Sequence, residues 1–184
     1  MKTIKTYTAS ALFLCTALFG QAQCEVFKSE INDVQSYMLQ VSQLSDSLRP
    51  ASEIASFGAN YGKALSNAKT VKLLMGQAVN AADEAVVLVS EAQYDSESCG
   101  LAEAISYTID AEKNAIDARD FSTEAFENVK NALKAKNLGT LQFHMRKAQR
   151  MIKEASDAAD ASAYAAEIAH YSCSHDLDHA SADR

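Results

Sequence analysis

Residues that interrupt helices are scarce in this 184-residue chain, which has one proline, six glycines and no tryptophan. Proline is the poorest helix former and glycine the next poorest, whereas alanine, the commonest residue here, is the best. The composition therefore predicts long helices. Charged residues at 22% and apolar residues at 48% are ordinary for a folded protein, so disorder is not expected.

Beyond the first 22 residues, no uninterrupted apolar run approaches the ~20 residues of a transmembrane helix. Residues 1–22 themselves have a basic start, a short apolar core and a small-x-small cleavage site ending at Ala22. This pattern predicts a cleaved signal peptide and a soluble, secreted or periplasmic chain that begins at Gln23. A lipoprotein anchored through Cys24 is the alternative, but the residues before that cysteine lack the usual leucine and adjacent small residue.

Basic residues are also in short supply. Removal of Lys2 and Lys5 with the signal peptide leaves 15 basic residues against 24 acidic ones, a net charge of −9. Nucleic acids and anionic membranes both require a basic binding surface. The negative charge therefore excludes nucleic-acid binding. It also repels the surface of an anionic membrane.

Apolar and small residues recur at alternating gaps of three and four residues, which is the period of an amphipathic helix. We call each such row a seam. Four seams with short connections predict an all-α, alanine-rich, antiparallel up-down-up-down four-helix bundle. The first seam comprises Cys24, Phe27, Ile31, Val34, Met38, Val41, Ser45 and Leu48; the others run from Ile54 to Ala92, Leu101 to Ala132 and Leu141 to Cys173.

Turn-forming and capping residues predict where the helices end. Pro50 suits the first turn of the second helix, and "YDSESCG" predicts a connection in which Ser96 or Ser98 caps the third. Gly139 is expected to end the third helix and Thr140 to cap the fourth. The predicted bundle spans residues 23–174 and is followed by a polar His/Asp tail over 175–184.

Three cysteines remain after the signal peptide: Cys24, Cys99 and Cys173. In an up-down-up-down bundle all three lie at the same pole, and the first and last are in phase with their seams. An oxidising compartment favours one disulfide between two of them, although the sequence does not identify the pair. The odd cysteine is left as a free thiol, an intermolecular bridge or a metal ligand.

The same pole predicts an alternative zinc or copper site, since thiolates and imidazoles suit both metals. His170 and Cys173 lie on one side of the fourth helix, whereas His175 and His179 lie nearly opposite unless the helix ends near Ser174. No standard metal-binding spacing is present. The candidate ligands are Cys24, Cys99, His170, Cys173, His175 and His179.

Motifs for catalysis are lacking. Glu167 and His170 form the only Glu-x-x-His pair, whereas a di-iron bundle requires two. Cys173 lies near His170 and Asp176, but no Gly-rich oxyanion loop accompanies them. We therefore expect a non-enzymatic structural or protein-interaction module without a cofactor, with an unidentified protein partner and exposed heptad flanks that allow a homodimer.

Overall fold

The computed structural model describes the backbone of residues 4–99 and 102–182, and the side chains of residues 23–97 and 102–173. Within these ranges the chain forms four α-helices and no strand. The helices are α1 (Ile4–Phe57), α2 (Tyr61–Cys99), α3 (Ala102–Leu133) and α4 (Leu138–Ala182).

Each helix packs against two neighbours, and α1 closes the arrangement against α4. The diagonal pairs, α1 with α3 and α2 with α4, make little contact. Because consecutive helices are neighbours joined by short connections, they alternate in direction. The predicted all-α four-helix bundle is confirmed.

The seams face the core as the helical period predicts. Every residue of the first seam is buried, and so is every predicted residue of the fourth. On α3 the buried residues are those of the predicted seam from Ala104 onward: Ala104, Thr108, Ala111, Ala115, Ala118, Ser122, Ala125, Val129 and Ala132. Alanine on all four helices lets their axes approach closely, although each side chain buries little area.

The boundary between the first two helices was predicted wrongly. Pro50 lies on the exposed side of α1, which continues to Phe57, so Ile54 and Phe57 belong to α1 and point outward. The helix ends at Gly58, where any Cβ would lie only 2.5 Å from the carbonyl oxygen of Ile54. Asn60 then caps α2, since its Oδ1 accepts a hydrogen bond from the backbone N–H of Lys63 at 3.0 Å.

The other two connections are also displaced from their predicted positions. The backbone of α2 continues to Cys99, and the Ser96 hydroxyl donates to the carbonyl of Gln93 at 2.7 Å within its own helix. Asn137, rather than Thr140, caps α4: its Oδ1 accepts the Thr140 N–H at 2.9 Å. Gly139 therefore lies in the first turn of α4 and does not end α3. The side chain of Ser98 lies outside the described residues.

The core divides into two apolar clusters along the bundle axis. One, which we call the cysteine half, is formed by residues 23–41, 81–97, 102–118 and 157–173. The other, the loop half, is formed by residues 42–80 and 119–156. A layer of buried serines forms the edge of the loop half next to the cysteine half: Ser42, Ser45, Ser122 and Ser156. The hydroxyls of Ser42 and Ser156 lie 3.4 Å apart, whereas those of Ser45 and Ser122 have no partner.

Among the described helices, one is long and apolar enough to cross a membrane by length and composition alone, over Tyr61–Glu97 of α2. Of its most apolar window, 33% is buried inside the bundle. The absence of a transmembrane segment stays a prediction, as does cleavage after Ala22, which falls within the helical backbone of α1.

Candidate functional site at the cysteine pole

Cys24 and Cys173 come together where α1 and α4 meet at one end of the bundle. Both belong to the same apolar cluster, with 4% and 0% of their surface exposed. Both are free thiols, and they lie within hydrogen-bonding reach of each other. Each occupies the terminal position of its seam, so the helical period that buries Phe27 also turns Cys24 toward Cys173.

Burial sets the electrostatics of this pair. It raises the pKa of Cys173 to about 11, and the neighbouring Cys24 adds to the shift. Lys28 acts in the opposite direction and lowers the pKa of Cys173, while Glu25, which pairs with Lys28 at 3.4 Å, raises it. A nucleophilic or metal-binding cysteine acts as the thiolate. At neutral pH this thiol is protonated, so its environment favours a buried structural role over nucleophilic attack.

The remaining predicted ligands are only partly described. His170 is half-buried on α4 and makes an interaction of its own. Within residues 23–97 and 102–173, no three ligand-type side chains are grouped as a metal site requires. The helical backbone includes Cys99, His175 and His179, but their side chains lie outside the described residues. The α4 helix continues to Ala182, so the predicted tail has a helical backbone over 175–182.

A half-buried carboxylate in the cysteine half was not predicted. Burial raises the pKa of Glu30 on α1 to about 6, and the negative charges of Asp95 and then Glu91 on α2 add to the shift. The Oε2 atom of Glu30 is buried without a partner. Its acidic neighbour Asp95 lies in "YDSESCG", a stretch that predicts a connection but forms the last turns of α2, so the sequence pattern does not reveal the interaction.

A groove of about 520 Å³ lies in the loop half, between α1 and α4. Four cations line it: Arg49, Arg146, Arg150 and Lys153. Arg49 pairs with an aspartate at 3.0 Å and Lys153 with another at 3.2 Å. Within the part of the chain that the structure describes, Arg146 and Arg150 form no ion pair. The groove therefore marks a locally basic surface on an acidic protein.

Comparisons of this chain with protein families, with curated proteins and with solved structures found no match.

Proposed function

We propose that this chain is an exported, non-enzymatic four-helix bundle that acts as a structural or protein-interaction module, crosslinked at its cysteine pole by a Cys24–Cys173 disulfide. The observation that carries the proposal is the contact between these two buried thiols. Of the three pairings that the sequence left open, this is the one whose two side chains the structure describes, and both are buried in the same apolar cluster, where they interact.

The chemistry of the pole supports a structural bridge. In an oxidising compartment two adjacent thiols form a disulfide, and a buried disulfide resists reduction better than an exposed one. The bridge would join the first seam residue of α1 to the last seam residue of α4. It would thus fix the two ends of the mature bundle to each other.

The extended shape supports a role in binding or spacing. At 1.5 Å per residue the 39 residues of α2 extend about 58 Å, which provides long exposed helix faces. Within the described residues the acidic cysteine half and the basic groove offer separate surfaces to partners. Catalysis, in contrast, draws no support from a cysteine whose pKa lies far above neutral pH.

Zinc or copper binding remains the alternative function, with Cys24, Cys173 and His170 as the described candidates. It needs at least one further ligand. Cys99, His175 and His179 are the candidates outside the described side chains.

One preparation tests both functions. The chain is expressed with its own residues 1–22, purified from the periplasm or medium, and examined by non-reducing peptide mapping, thiol counting and metal analysis. We expect an N-terminus at Gln23, a linked Cys24–Cys173 peptide pair and one free thiol. Cys99→Ser should retain the bridge, whereas Cys173→Ser should lose it.

Other results would contradict the proposal in distinct ways. Three free thiols with stoichiometric zinc or copper would establish the metal alternative. An acyl group on Cys24 would make the chain a lipoprotein. A chain retained in the cytoplasm with Met1 intact would refute export.

A further inference from the structure

Charge is divided unequally along the bundle. The cysteine half carries 15 Asp and Glu residues and two Lys, whereas the loop half carries six acidic and 12 basic residues. The described bundle is thus a rod with a negative half and a positive half. Such a rod attracts a second copy most strongly when the two lie antiparallel, since each half then faces its opposite.

The outward face of α2 carries the apolar surface for such a contact. Leu73 and Val87 are 67% and 56% exposed, and both lie within about 20° of Asn80 on a helical wheel, opposite the buried seam. Lys69 and Glu91 share this outward stripe. The exposed leucine and valine thus supply apolar surface on an otherwise polar stripe, and a second copy with complementary charge would bury it.

We propose that this stripe of α2 is the interface of an antiparallel homodimer whose twofold axis passes beside Asn80. Asn80 is the midpoint of α2, so pairing about it overlaps the two copies of Tyr61–Cys99 over their full length. It sets Leu73 against Val87 of the second copy, each seven residues from Asn80. It also sets Lys69 against Glu91, each eleven residues away. Twofold symmetry makes each of these contacts twice.

Gly76 provides independent support for a close approach at this face. A Cβ at this position would meet only the Phe126 ring, at an ordinary 3.7 Å, so packing inside the bundle does not require glycine. Glycine in a helix interior nevertheless destabilises it. In the antiparallel pair Gly76 lies opposite Glu84 of the second copy. Because glycine has no side chain, it leaves room for the long side chain of that glutamate.

Two competing assignments fit the stripe less well. A membrane would have to bury the charges of Glu84 and Glu91, which lie among the apolar residues, and burying charges in a bilayer is costly. The outward face of α4 also bears exposed aromatics, Tyr164 and Tyr171. If two copies paired antiparallel through that face at the same height along the bundle, Asp157 would lie against Asp157 of the second copy. The two carboxylates would repel each other.

The mass of the chain in solution provides the first test. Sedimentation equilibrium of the purified chain, with and without reductant, should give a dimer in both states, with a Kd that rises as salt increases. A dimer that forms equally with and without reductant does not depend on the Cys24–Cys173 disulfide. The experiment therefore tests the dimer separately from the disulfide. A monomer at every concentration up to about 100 µM would overturn the inference, as would a monomer that binds neutral lipid vesicles through α2.

Crosslinking tests the position of the axis. In a Cys99→Ser chain, Asn80→Cys should form an intermolecular disulfide at equilibrium, because the axis brings the residue beside its own copy. Gln43→Cys on α1 is the matched control: it is exposed, uncharged and lies at the same height, and it should remain monomeric. Asp157→Cys tests the α4 face. Crosslinking through Asp157→Cys and not through Asn80→Cys would overturn the inference.

Charge reversal tests the register. Lys69→Glu and Glu91→Lys should each weaken dimerisation about tenfold, because each creates two like-charge contacts. The double variant should recover the Kd of the unmodified chain to within about threefold. Lys136→Glu makes the same charge change in the connection before α4 and should leave Kd within that range. Failure of the double variant to recover would refute the pairing of Lys69 with Glu91.

Discussion

Oxidation of Cys24 and Cys173 should stabilise the folded chain strongly because their positions are far apart in sequence. The bridge closes a loop of about 150 residues, and loop-closure entropy gives about 5 kcal/mol for a loop of this size. Both thiols are already buried in the same apolar cluster of the folded state, so the bridge would join neighbours rather than draw distant helices together. For a mature chain of this length, 5 kcal/mol corresponds to a Tm increase of about 10–20 °C.

Thermal unfolding followed by circular dichroism measures this effect. Oxidised chain, reduced chain and Cys173→Ala should be compared at one pH, with Cys99→Ser as the control that retains the bridge. The reduced chain separates loss of the bridge from loss of the buried Cys173 side chain. If mass spectrometry confirms the bridge but oxidised and reduced chains melt within about 2 °C, the loop-entropy reasoning is refuted.

The remaining predictions concern single side chains, each measured by urea unfolding. The pKa of Glu30 is raised to about 6, so the folded chain holds this proton more tightly than the unfolded chain, and stability falls as pH rises from about 4.5 to about 6. Glu30→Gln should remove that slope and, allowing for partial exposure, stabilise the chain at pH 7 by about 1 kcal/mol. Ser45→Ala removes a buried hydroxyl without a partner and should stabilise by about 1 kcal/mol. Asn137→Ala removes the cap of α4 and should cost about 1 kcal/mol.

The Glu30 and Ser45 changes have matched controls. Glu103→Gln alters an exposed carboxylate in the same half of the bundle and should leave the pH slope unchanged. Ser162→Ala removes a buried hydroxyl that donates to the carbonyl of Ala111 at 2.8 Å, so it should destabilise where Ser45→Ala stabilises. Equal effects of the two serine changes would contradict the hydrogen-bond argument. Full stability of Asn137→Ala would show that solvent replaces the cap.

Inward-facing residues were predictable from sequence because a helix repeats its environment at a fixed period. That period identified the buried residues of three seams, and in the second it failed only at the start. The prediction for Ile54 and Phe57 was wrong because a proline such as Pro50 is typical of a helix start. Its exposed position lets α1 continue past it, while Leu48 and Ala55 keep the helix packed on both sides.

The contact between Cys24 and Cys173 followed from two properties that sequence does encode: the direction of alternate helices and the phase of each seam. The sequence does not select a pair among Cys24, Cys99 and Cys173, and the structure describes only the side chains of Cys24 and Cys173, so their disulfide stays a proposal. Glu30 and its acidic neighbours were not predictable for a different reason. The acidic contact spans two helices, and the second of them was predicted to end before Asp95.

Net charge concealed the division of charge along the rod, because a sum over the chain discards position. That division explains where extra stabilisation is needed. The cysteine half combines an alanine-rich core, which buries little area, with 15 acidic residues against two basic ones, so its helices repel one another. The proposed disulfide crosslinks α1 to α4 in that half, and the proposed dimer brings the basic half of a second copy against it. The disulfide and the dimer interface would therefore both stabilise the cysteine half, which its own core and charges stabilise least.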